Sequence, residues 1–119
     1  MTQSHGDVTV VSFQDAQILD EVKIQQISDE LNQVAERVAN GKLLLNFTDV
    51  KFMSSAVLGK LNNLNKKCKA NGATLKLCNI SPDIMQVFKI TKLNKVFSIY
   101  ESEEEALAAF NKKGWFSRG

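Results

Sequence analysis

The chain has 119 residues, 44% of them apolar, and a formal net charge of +2 at pH 7. That length and composition suit one globular domain that buries a core without help from disulfides or metal. So small a charge, with acids set among the lysines and no aromatic–basic alternation, argues against a nucleic-acid binder.

Met1 to Asp7 has neither an apolar core nor a positive flank, so no signal peptide is expected and residues 1–6 read as a polar tail. No apolar run approaches the ~18 residues of a membrane span. The expectation is a soluble, cytoplasmic protein with no transmembrane segment.

Val8 to Phe13 is rich in β-branched residues and predicts a first strand; Ala16 to Leu19 predicts a brief second strand paired with it. Asp20 then caps a helix whose apolar residues Ile24, Ile27, Leu31, Val34 and Val38 fall on one stripe. Asn40-Gly41 stops it. Lys42 to Phe47 is a near-continuous apolar strand, the pattern of burial on both faces in a parallel or mixed sheet.

A loop from Thr48 to Phe52 leads to the serine pair Ser54-Ser55, with Ser54 placed to cap a second helix. Leu58, Leu61, Leu64 and Cys68 give that helix its apolar stripe, and Asn71-Gly72 ends it. In the strand Thr74 to Cys78, Leu75 and Leu77 share one face and Thr74, Lys76 and Cys78 the other. Ser81-Pro82 opens a third helix with Ile84, Val87 and Phe88 as its apolar face. Phe97 to Tyr100 predicts a last strand. Ser102 with Glu105 forms a capping-box pattern before Ala106, Leu107 and Phe110. Residues 112–119 show no pattern and read as a tail carrying Trp115 and Phe116. Strands alternating with helices in this way predict an α/β sandwich, a mixed central β-sheet with about four helices, in one domain over residues 1–119.

Cys68 lies on a helix stripe and Cys78 ends a strand, so both are expected as small buried hydrophobes in a reducing compartment. One histidine, His5, leaves no metal cluster and no base for a serine triad. No glycine-rich phosphate loop or glycine-flanked nucleophile elbow is present. No catalytic residue, metal or cofactor is therefore expected, and a binding or regulatory role gains over an enzyme. On residue chemistry alone, Ser54 reads as a cap and Ser55 as a polar first-turn residue; a regulatory hydroxyl at a helix mouth is the sharper alternative. Ser81 and Ser102 read as caps. Lys60, Lys66, Lys67 and Lys69 read as a solvated face, with an acidic partner or lipid headgroups as the lesser reading.

The run Leu43-Leu44-Leu45-Asn46-Phe47-Thr48-Asp49-Val50-Lys51-Phe52-Met53-Ser54-Ser55-Ala56-Val57-Leu58-Gly59 resembles the signature of STAS domains. That pattern is an apolar strand ending in Asp, a loop, then Phe-hydrophobic-Asp-Ser-Ser-Gly-Leu-Gly opening a helix. The later segment from Leu75 through Ser81-Pro82 to Phe97 is similar to the closing half of the same family. The resemblance runs from about Val8 to Phe110. It implies a STAS-like sandwich and an anti-sigma factor antagonist, which binds an anti-sigma factor of the serine kinase-like ATPase type and is released when that kinase phosphorylates it. Aligned without a gap, Ser55 takes the position of the phosphorylated serine, with Ser54 the second candidate. Asn46, Thr48, Asp49, Lys51, Met53, Ser54, Ser55, Ala56, Val57 and Leu58 take positions of the partner-contact region. Asn46 and Ser54 stand where the pattern has Asp, and Val57 where it has Gly. A monomer or weak dimer is expected. The alternative is a STAS scaffold subunit, never phosphorylated, in a signalling or lipid-transport assembly; a small-ligand sensor is a further possibility.

Overall fold

The computed structural model of the chain describes residues 2–13 and 17–116, with side chains as far as Phe110. Five strands form the main sheet in the order β1-β2-β4-β6-β7. These are β1 (Thr2–His5), β2 (Val8–Ser12), β4 (Lys42–Asn46), β6 (Thr74–Cys78) and β7 (Ser98–Tyr100). β1 is antiparallel to β2, while β2, β4, β6 and β7 are mutually parallel. The sheet is therefore mixed, as the sequence predicts.

Parallel neighbours need crossovers, and three helices supply them: α1 (Glu21–Arg37), α2 (Ser55–Ala70) and α3 (Pro82–Ile90). Their residues Ile24, Leu31, Leu58, Leu61, Leu64, Ile84 and Phe88 pack with Val11, Leu43, Leu45, Leu75 and Leu77 from one face of the sheet. The fourth helix, α4 (Glu103–Phe116), covers the opposite face, where Ala106 and Phe110 meet Val8, Val10, Leu44 and Cys78. Leu43, Leu44 and Leu45 are all buried because helices cover both faces of β4.

Each of three helix starts behaves as its sequence implies. The Asp20 side chain accepts from Val22 N at 3.1 Å, Ser81 Oγ from Ile84 N at 3.3 Å, and Ser102 Oγ from Glu105 N at 3.1 Å. The return bond of the last box reaches Glu101 N rather than the cap itself, at 3.3 Å from Glu105 Oε2. At the chain reversals Asn40, with φ of 63°, and Gly72, with φ of 73°, take the left-handed backbone. A Cβ at Gly72 would collide with the Asn40 side chain, so the ends of α1 and α2 meet there only with glycine.

Four expectations need correction. Residues 2–5 are not a tail: they form β1, because Gly6, with φ of 63°, turns the chain back and lets Thr2–His5 pair along β2. The brief strand at Gln17–Ile18 (β3) does not pair with β2. It pairs in parallel with Phe52–Met53 (β5), inside the stretch expected to be loop. Finally, α4 carries the backbone through Phe116, and the side chains of Trp115 and Phe116 lie outside the described residues.

Lys76 is buried on the α4 face. Its Nζ donates to the Tyr100 hydroxyl at 3.3 Å and lies 5.1 Å and 5.2 Å from the ring centres of Tyr100 and Phe110. The stem packs as a hydrophobe while two aromatic faces and one oxygen stabilise the cation.

Candidate functional site

The site lies where β4 and β5 deliver the chain to α2. Two anchors fix the connecting loop. Val50 is buried and its N–H donates to Phe47 O at 3.0 Å. Asn46 Oδ1 accepts from Thr48 N at 2.9 Å and also from the Thr48 hydroxyl, while Asn79 Nδ2 donates to Thr48 Oγ1 at 2.9 Å. Beyond the loop, the β3–β5 pairing continues into a bond from Ser54 N to Ile18 O at 3.0 Å, which sets the angle at which α2 begins.

Ser54 and Ser55 have different fates. Ser54 occupies the N-cap position with extended backbone, yet its side chain caps nothing; its Oγ is buried and has no hydrogen-bond partner. The expected capping bond is thus absent. Ser55 is the first residue of α2 and is exposed to solvent.

The first turn of α2 contains no acidic residue, whereas α1, α3 and α4 each carry at least one. The leading N–H groups and the positive end of the helix dipole thus have no carboxylate from α2's own first turn, and Glu21 at the start of α1 shares a groove with Ala56.

Of the other candidates, Thr48, Asp49, Lys51 and Ala56 are exposed, and Asn46, Met53 and Ser54 half-buried. Val57 and Leu58 are buried in the core between α2 and the sheet, so neither is a contact residue. The helix stripe on which the sequence places Leu58 takes both inward, and their inclusion among the contact positions is corrected.

Two residues, Leu19 and Val22, join the site that sequence reasoning did not place there, and Phe52 of the expected contact loop stands with them. Leu19 is 54% exposed, Val22 64% and Phe52 49%. Phe52 is brought beside β3 by the β3–β5 pairing, and Val22 lines a groove of about 430 Å³ with Glu21, Ile24, Gln25, Ala56 and Lys60, between the starts of α1 and α2. Their signal is faint: Leu19 and Val22 are apolar residues off the α1 stripe.

An exposed hydroxyl at an acid-free helix start, within an apolar surface, can be docked upon and can receive a phosphoryl group. Among the described residues no His, Cys, Asp and Glu cluster stands ready to hold a metal.

The comparisons with known proteins agree with this architecture. An anti-sigma F factor antagonist of Paenibacillus polymyxa is 22% identical over 89 residues, 75% of this chain and 76% of that protein. The solved structure of an anti-sigma-factor antagonist (STAS) domain protein from Planctomyces limnophilus superposes with a TM-score of 0.81 at 25% identity, covering 92% of this chain and 95% of that one. The anti-sigma factor antagonist SpoIIAA, solved in its unphosphorylated form, superposes with a TM-score of 0.75 at 20% identity over 94% of this chain and 96% of its own. The family model described as STAS domain matches residues 1–106, and by that match the chain belongs to the STAS-domain family.

Proposed function

We propose that this protein is an anti-sigma factor antagonist that docks on a kinase-type anti-sigma factor through the surface around the start of α2 and is released by phosphorylation of Ser55. The observation that carries the proposal is the contrast within the serine pair: Ser55 is exposed at the mouth of α2, while Ser54 Oγ is buried where no kinase reaches it. SpoIIAA, a relative of the same fold, is an anti-sigma factor antagonist whose solved form is specified as unphosphorylated. The kinase would transfer the γ-phosphoryl of its ATP to Ser55 Oγ. The bond to the leaving ADP breaks, and the hydroxyl proton passes to a base on the kinase.

A phosphate there adds about −1.5 to −2 charges. The start of α2 tolerates it, because the helix dipole and free N–H groups favour an anion. A partner seated on Leu19, Val22 and Phe52 does not, since it would have to desolvate that charge against an apolar surface. The same modification is thus mild for the fold and severe for the complex. Binding, rather than catalysis, is the activity of this surface.

The test is incubation with the cognate anti-sigma kinase and ATP, followed by mapping of phosphate by mass spectrometry. Phosphate on Ser55, and none on Ser55→Ala, is expected; an unmodified Ser55 beside a phosphorylated control substrate sinks the switch. The second reading, a scaffold that is never phosphorylated, draws on Asn46 and Ser54 standing where the family pattern has Asp. It predicts that Ser55→Asp leaves partner binding unchanged, whereas the switch predicts a loss of at least about a hundredfold.

A further inference from the structure

We propose that the segment from Lys89 to Val96, at the far end of α3 from the serine pair, docks on an anionic lipid bilayer. β6 ends beside the end of β4, with Cys78 opposite Asn46, so α3 begins at the same edge of the sheet as α2 and, as the crossover to the parallel strand β7, runs back across the sheet to end at Ile90. A left-handed Lys92, with φ of 63°, and a 3₁₀ turn over Leu93–Lys95 then lead into β7. This turn presents Lys89, Lys92 and Lys95, all exposed, together with Ile90 at 79% and Val96 at 44% exposure. Ile90 is the most exposed large hydrophobic residue among those described. No Asp or Glu occurs from residue 84 to residue 100, so three lysines stand in a stretch with no acid of its own. Among the described residues, no carboxylate lies within ion-pair distance of any of the three.

The chemistry selects the occupant. Protein interfaces favour Arg, Trp and Tyr and are depleted in Lys. Here the cations are all lysines, and the two phenylalanines of the neighbourhood, Phe88 and Phe97, are buried. Exposed aliphatic residues with lysines around them suit a bilayer surface, where the apolar side chains enter the headgroup boundary and the ammonium groups meet lipid phosphates. A bilayer also demands no shape complementarity from so short a turn. Because the patch and the Ser55 surface lie at opposite ends of α3, the protein can hold a membrane and a protein partner together.

The experiment is co-sedimentation of the full chain with vesicles of phosphatidylcholine alone and of phosphatidylcholine mixed with phosphatidylglycerol. Binding to the mixed vesicles that weakens as salt rises, with little binding to phosphatidylcholine, is expected. Lys89→Ala with Lys95→Ala should reduce it roughly twenty-five-fold, at about fivefold per lysine, leaving the left-handed Lys92 untouched. Ile90→Ser with Val96→Ser should reduce it by about tenfold or more. The charge-matched pair Lys66→Ala and Lys69→Ala on α2 should change it by no more than about twofold. Absence of binding to the mixed vesicles overturns the proposal, as does equal binding to both vesicle types. An equal loss in the α2 pair, or no loss in the Ile90–Val96 pair, reduces it to general charge attraction and overturns it as well. Retention on immobilised polyglutamate with the same variant dependence, and no vesicle binding, would assign the patch to an acidic protein instead.

Discussion

Asn46 donates from Nδ2 to Glu103 Oε1 at 3.0 Å across 57 positions of sequence, tying the end of β4 to the first turn of α4. Its other amide atom, Oδ1, accepts from Thr48 and holds the loop that leads to the serine pair. Only an amide can serve both partners, because a carboxylate has no hydrogen to give to Glu103. Asn46→Asp should therefore set two carboxylates against each other and lower stability by about 1–3 kcal/mol at neutral pH. Thermal melts at pH 7 and near pH 4 should show the deficit shrinking in acid, as the repulsion is relieved by protonation.

Two of the N-cap serines, Ser54 and Ser81, should answer oppositely to the same substitution. Ser81 accepts a bond from Ile84 N, so Ser81→Ala should cost about 1 kcal/mol. Ser54 Oγ is buried with no partner, so Ser54→Ala removes a desolvated hydroxyl and should be neutral or stabilising by up to ~1 kcal/mol. Urea denaturation of the two variants side by side reads the difference.

Phe52 offers a separation of binding from stability. It is half exposed, so Phe52→Ala should change folding stability by no more than about 1 kcal/mol. If the Leu19–Val22–Phe52 surface receives the anti-sigma factor, the same change should weaken the complex at least about tenfold, as loss of an aromatic anchor does. Calorimetric titration with the partner, beside a melt of the free variant, measures both.

Burial pushes the Cys78 thiol up to about 12 from 9.0, with the nearby Glu103 carboxylate adding to the effect, and burial raises Cys68 in the same direction. The folded chain thus keeps protons that the unfolded chain releases. Stability from Cys78 is fully present below pH 9.0 and is lost as pH climbs from there toward about 12. Unfolding midpoints across alkaline pH should fall, and fall less in Cys78→Ala. A thiol-specific reagent at pH 8 should label the native protein only slowly and the denatured protein at once.

Much of the fold was legible because its causes are local. The stripe Ile24–Leu31–Val34 made α1 visible, Ser81-Pro82 located α3, and the unbroken Leu43–Leu44–Leu45 run announced a strand buried on both sides. β1 was not legible: Thr2–His5 is polar and exposed, and it is a strand only because its backbone pairs with β2 across the Gly6 turn. Lys76 was placed on the correct face of β6, but nothing in its neighbours along the chain signals the Tyr100 and Phe110 rings that bury it. In the site, the motif located the serine pair, while the contrast between Ser54 and Ser55 and the contribution of Leu19 and Val22 waited for the packing of α1 against α2.

The sequence by itself determined the alternation of strands and helices, the capped helix starts and the family pattern around Ser55, since period, capping and turn chemistry act over a few neighbouring residues. Only the tertiary structure decided which serine is exposed, that β3 joins β5, that Val57 joins Leu58 in the core, and that Asn46 reaches Glu103. Those outcomes depend on contacts between residues tens of positions apart, and burial is a property of what lies across the fold rather than of what lies next along the chain.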